Sequence, residues 1–163
     1  MSRQISELET ILQSMIAEYR KLLGYLETQQ AAMKTCDLKV MDEVSTVQEA
    51  CRLRIAGLEN RRRATVMQVG LEAKLTGDVT LRKLAALYPA RADALLKLRE
   101  ELKTVTDQIR TRAYISGRVA NAVLGHLNTV VSLVAGAVGK AGLYNKRGVP
   151  RMVKRIGVME AVG

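Results

Sequence analysis

The chain has 163 residues, 48% of them apolar, with no Trp, no Phe and five Tyr as its only aromatics. That is length for one domain of ordinary size, but a core drawn from Leu, Val, Ile, Met and Ala suits helices packed side by side and argues against a sandwich or an α/β sheet. The net charge of +10 is uneven: residues 111–163 hold eight basic side chains and one acidic, whereas residues 1–35 balance, so the excess points to an anionic partner or a solvated basic tail rather than to the whole domain.

The first predicted helix follows Ser2. Apolar residues recur at Ile5, Leu8, Leu12, Met15, Tyr19, Leu22, Leu26 and Met33, in steps of three and four with one lapse at Gln29. This is a seven-residue repeat of the kind that forms a bundle or coiled-coil seam. Ile11, Ile16 and Leu23 widen the stripe, which predicts two helical neighbours. Gly24 costs about 1 kcal/mol against Ala in a helix interior, and close approach of a neighbour is expected to offset it.

Met33 to Leu38 reads as a corner, with Asp37 as the N-cap of the second helix. That helix carries Met41, Val44, Val47, Cys51, Ile55, Leu58, Val66 and Val69 on its core line. The line weakens at Arg61-Arg62-Arg63. Three successive arginines point about 100° apart, so at least one sits near the apolar edge and snorkels outward. Gly77 is the expected C-terminal stop. Asp78 or Thr80 then caps a short helix over Leu81 to Leu87, with Leu81, Leu84 and Leu87 on one side.

Pro89 opens a third long helical stretch, to about Val138. Its core line begins Leu95, Leu98, Leu102, Val105, Ile109, Ala113, Ser116 and Ala120. From Val119 to Gly139 there is no Asp, Glu, Lys or Arg. Val119, Val123, Leu127, Val130 and Val134 keep helical spacing there, with Leu124, Val131 and Val138 on a neighbouring line. A face this broad exceeds what one core contact needs and marks a partner surface, a multimer seam or a lipid contact. The run is long enough to span a bilayer, but Asn121, His126, Asn128, Thr129 and Ser132 interrupt it, so a buried or partner-facing helix is the stronger reading. Residues 1–138 are thus the expected bundle domain. Residues 139–163, with Gly139, Gly142, Gly148 and Gly157 among basic side chains, are the expected flexible tail.

No catalytic constellation accompanies this pattern. His126 is the only histidine, which leaves no His-based metal cluster or triad within one chain. Cys36 and Cys51 form neither a disulfide framework nor a zinc site, and Cys51 lies on the core line as a small hydrophobe. The two thiols and an N-terminus without an apolar signal core lead to the expectation of a reducing cytoplasm. No cofactor, metal or small-molecule substrate is expected.

Several segments resemble the FlgN family of flagellar type III secretion chaperones. The corner Lys34-Thr35-Cys36-Asp37-Leu38 is similar to the Lys-x-Gly-Asp-Leu corner common in that family. Leu98-Arg99-Glu100-Glu101-Leu102 and Leu127-Asn128-Thr129-Val130-Val131-Ser132-Leu133 fit its last helix, and Tyr144 is followed four residues on by Gly148. Asn145 departs from the glycine often found after the tyrosine, and the basic extension past Pro150 is unusual. The resemblance implies an all-α fold, an antiparallel bundle of three long helices with a short additional helix. It implies a cytoplasmic, non-enzymatic chaperone, a monomer or weak homodimer. Such a chaperone binds the C-terminal helical segment of hook-associated (hook–filament junction) proteins, prevents premature assembly and delivers its client to the export apparatus. The client site it implies is Val123, Leu124, Leu127, Val130, Val131 and Val134, with Tyr144 as a contact to the export gate. The alternatives are a basic helical nucleic-acid-binding protein, supported by the C-terminal charge and Arg61-Arg62-Arg63, and a helical self-assembly module.

Overall fold

The computed structural model describes residues 2–142, and the side chains of all of these except 2, 126, 127 and 137–142. The described residues are helical, as the composition predicts, with no strand among them. Helices α1 (Ser2–Thr35), α2 (Leu38–Glu72), α3 (Leu81–Leu87) and α4 (Ala92–Gly142) follow in order, with a 3₁₀ turn over Pro89–Arg91 before α4. The chain divides into two compact units, Met1–Ala120 and Asn121–Gly163.

In the first unit the heptad line of α1 is its buried face. Ile5, Leu8, Ile11, Leu12, Met15 and Ile16 are buried, and Tyr19, Leu22, Leu23, Leu26 and Met33 are half-buried. Gly24 is exposed, and a Cβ there would meet nothing within 4 Å. Close helix approach therefore does not explain this glycine, contrary to the sequence expectation.

The corner between α1 and α2 is two residues long. Asp37 caps α2 by accepting from the Val40 N–H at 3.1 Å, as expected. Cys36 ends α1 at φ +53°. Its N–H donates to Met33 O, and the Asp37 N–H donates to Ala32 O, the paired bonds that close a helix through a left-handed residue. Glycine is the residue suited to this geometry, because a Cβ there costs roughly 1–2 kcal/mol. Cys36→Gly is accordingly expected to raise stability by about 1 kcal/mol, the gain being trimmed by glycine's extra freedom in the unfolded chain. Urea unfolding checks this; an unchanged or lower midpoint contradicts it.

α2 buries Val44, Cys51, Ile55, Thr65, Val69 and Gly70. Its side chains meet α1 in reverse order: Gln48 with Gln29, Arg54 with Glu18, Arg61 with Glu7, and Glu72 with Gln4. Val47, assigned to the core line, lies at its edge and is 39% exposed. The helix stops at Glu72, not at Gly77. Lys74 takes the left-handed conformation at φ +54°, and the Leu75 N–H returns to Gly70 O at 2.9 Å. The early stop turns Leu75 and Val79 onto the core. A Val79 methyl lies 2.7 Å from where a Gly70 Cβ would stand, so the turn needs glycine at position 70 for space.

Thr80 caps α3 through the Lys83 N–H. Leu84 and Ala85 are buried, whereas Leu87 is 45% exposed. Leu87 was expected inside, but it lies two residues from Ala85, about 200° around the helix. The first part of α4 buries Leu95, Leu98, Val105 and Ser116; Leu102, Ile109 and Ala120 are half-buried, and Ala113 is exposed rather than on the core line. The 3₁₀ turn and α4 meet α1 in the same order along the chain: Arg91 of the turn with Glu9, then Glu101 with Arg20 and Arg112 with Glu27 in α4. The core they enclose joins Ile5, Leu8, Leu12 and Ile16 to Val69, Leu84, Leu95 and Leu98.

In the second unit α4 runs on to Gly142, four residues past the Val138 that the sequence suggests as its end. Lys140 and Ala141 favour helix, and isolated glycines weaken one without ending it. The Thr129 hydroxyl turns back to Gly125 O at 3.0 Å. The tail from residue 143 lies outside the described residues.

Candidate protein-binding face

The uncharged half of α4 carries the residues that the sequence singles out as a candidate site. At about 100° per residue, positions 123, 124, 127, 130, 131 and 134 fall within roughly a third of the helix circumference. Leu124, Val130, Val131 and Val134 are 57%, 43%, 64% and 57% exposed, and Val123 is half-buried. The Leu127 side chain lies outside the described residues, and so does Tyr144. Five of the six predicted apolar positions are therefore described, on one helix and one face about 16 Å long. Leu133, at 69% exposed, is not among the predicted positions; it lies three residues after Val130, about 60° beyond the edge of this stripe. Covering a fully exposed Val or Leu is worth about 1.5–3 kcal/mol, so a row of them left in water is a surface built to be covered. Its chemistry is that of a groove or ridge for another helix: apolar anchors at i, i+3, i+4 and i+7, with no ionic group to be desolvated.

Pro89–Gly136 also contains a window long and apolar enough to cross a bilayer, by length and composition alone. Asn121, Asn128, Thr129 and Ser132 lie within the uncharged run, at a cost in hydrocarbon that a protein partner does not impose.

The arginine cluster of α2 is occupied. Arg62 and Arg63 both bind Glu59, at 2.8 and 2.9 Å, and Arg61 reaches Glu7 at 3.5 Å. The Arg62 hydrogen bond, assisted by Arg63, outweighs burial and holds the Glu59 carboxyl at about 2, against an ordinary 4.5. The folded chain thus binds this proton less readily than the unfolded chain. Its contribution to stability is present above about pH 4.5 and is lost as pH falls towards 2. Glu59→Gln is expected to flatten the acid limb of a stability–pH curve; an unchanged limb contradicts the assignment.

Cys51 is buried, with its Sγ 3.3 Å from Glu18 O, and burial pushes its thiol pKa up. That is an inert core thiol, not a nucleophile. Among the described residues no group of three His, Cys, Asp or Glu could hold a metal ion.

A family model for the FlgN protein matches residues 1–151. The chain belongs to the FlgN family. Members of the FlgN family are flagellar export chaperones rather than enzymes, and their partners are flagellar hook-associated proteins. No curated protein and no solved structure matches the chain.

Proposed function

We infer that this FlgN-family chaperone holds the C-terminal helical segment of a hook-associated protein on Val123, Leu124, Leu127, Val130, Val131 and Val134. The observation that carries this reading is the row of exposed apolar side chains on the uncharged half of α4. In this reading the chaperone works in the cytoplasm, covers its client against premature assembly and passes it to the type III export apparatus, with Tyr144 contacting the export gate. The fold that supports it is an antiparallel bundle of three long helices. Reverse-order pairing of α1 with α2 and same-order pairing of α1 with α4 favour that arrangement. The nucleic-acid alternative loses half its motivation, because Arg61, Arg62 and Arg63 already bind carboxylates.

Titration calorimetry with a hook-associated subunit, whole and with its C-terminal helix removed, tests the binding mode. Binding by the whole subunit and none by the truncated one is the expected result. Equal binding by both overturns it.

A further inference from the structure

The second unit, Asn121–Gly163, leaves its apolar row open: among its described side chains only Val123 is even half-buried. The same unit carries a second apolar set. Met152, Val153, Ile156 and Met159 follow the end of α4 at Gly142, spaced at i, i+1, i+4 and i+7. On a helical count they share an arc of about 120°, and Arg151, Lys154 and Arg155 fall outside it. The FlgN match stops at residue 151, so this set lies beyond what the family model covers.

Reach, charge and tethering fit this set to the row. Residues 143–150 span at most about 28 Å when extended, and Val134 to Leu124 lie roughly 12–27 Å back along α4 from Gly142. The two apolar sets are thus within reach of each other in one chain. From Val119 to Gly139 there is no Lys or Arg, so a segment laid on the row by its apolar side turns its cations to water and meets no like charge. A segment this short, with Gly157 inside it, holds no helix alone in water and needs a surface to fold on. A short linker presents it to the row at roughly millimolar effective concentration, which a free second copy of the chain does not match in dilute solution. We propose that residues 151–159 lie on the α4 row as a tethered stand-in for the client, which displaces them on binding. The stand-in role rests on the reading of α4 as the client face; the contact itself does not.

Hydrogen exchange on the full chain without client tests the contact, in the unsubstituted protein and in the double variant Ile156→Asp, Met159→Asp. A row covered about four-fifths of the time predicts that the variant exchanges about fivefold faster over residues 121–136, and that it binds a hook-associated subunit about fivefold more tightly in calorimetry. Lys154→Asp, on the basic side, should change neither. If the double variant aggregates, Met152→Asp carries the same expectation. Equal exchange in the unsubstituted protein and the variant overturns the proposal, and so does an equal effect from Lys154→Asp. Protection that falls on dilution, with a dimer in sedimentation, also overturns it, because a second copy then covers the row. Faster exchange with unchanged client affinity overturns the stand-in role. Client capture is judged separately: a subunit that binds neither protein while exchange differs sinks the client reading and leaves the contact standing.

Discussion

Val131→Asp should abolish client binding and leave the free chaperone folded. Val131 is 64% exposed, so a carboxylate there stays in water in the free protein. Val and Asp have similar helix propensities, and surface substitutions of this kind usually stay within about 0.5 kcal/mol. In the complex the same carboxylate is enclosed among apolar side chains without a partner. That costs at least about 3 kcal/mol, which is more than a hundredfold in affinity at about 1.4 kcal/mol per tenfold. Leu124→Asp, at a position 57% exposed, should behave in the same way. The check is a thermal melt beside a binding isotherm for each variant. A collapsed melting point with intact binding would mean that this stretch is core.

The opposite result is expected for Leu95→Ala. Leu95 is fully buried and packs in the cluster that joins α1, α2, α3 and α4. Truncating such a leucine costs about 2–5 kcal/mol, through lost transfer energy and the cavity left behind. For a chain of this size about 1 kcal/mol moves the melting point by roughly 2–4 °C, so a fall of roughly 5–20 °C should follow, with client affinity of the folded protein unchanged. Leu102, which the sequence places against both other long helices, is half-buried at the edge of the same cluster. Leu102→Ala should therefore cost less than Leu95→Ala. A larger loss at Leu102 would misplace the core.

The contrast between these residues shows what a sequence of this kind makes legible. The α1 core was readable because one buried stripe at a seven-residue spacing has no rival on the opposite face. Asp37 and Thr80 were readable because capping is local chemistry. The end of α2 was not. A glycine at position 77 looks like the stop, but burial of Leu75 and Val79 pulls the chain round at Lys74 instead, and that preference is tertiary. Leu53, Met67 and Leu71, all exposed, were hidden for a different reason. They lie off the core line of α2, which the spacing of Val44, Cys51, Ile55 and Val69 reveals, and scattered apolar side chains outside that line set no period of their own. The pairing of Glu59 with Arg62 and Arg63 spans three and four residues, a local spacing that the sequence carries in itself. The exposed apolar row on α4 was legible because it is a run without charge in a chain rich in charge; that it holds the client is the proposal. The resemblance to the FlgN family, matched over residues 1–151, carries its assignment from an apolar surface to a chaperone surface.

Hydrogen exchange on the chaperone, free and saturated with its hook-associated client, tests the central claim most directly. The account predicts slowed exchange along residues 121–136 of α4, where no described side chain but Val123 is even half-buried. Protection confined to α1 and α2, with residues 121–136 exchanging at the rate of the free protein, would contradict it.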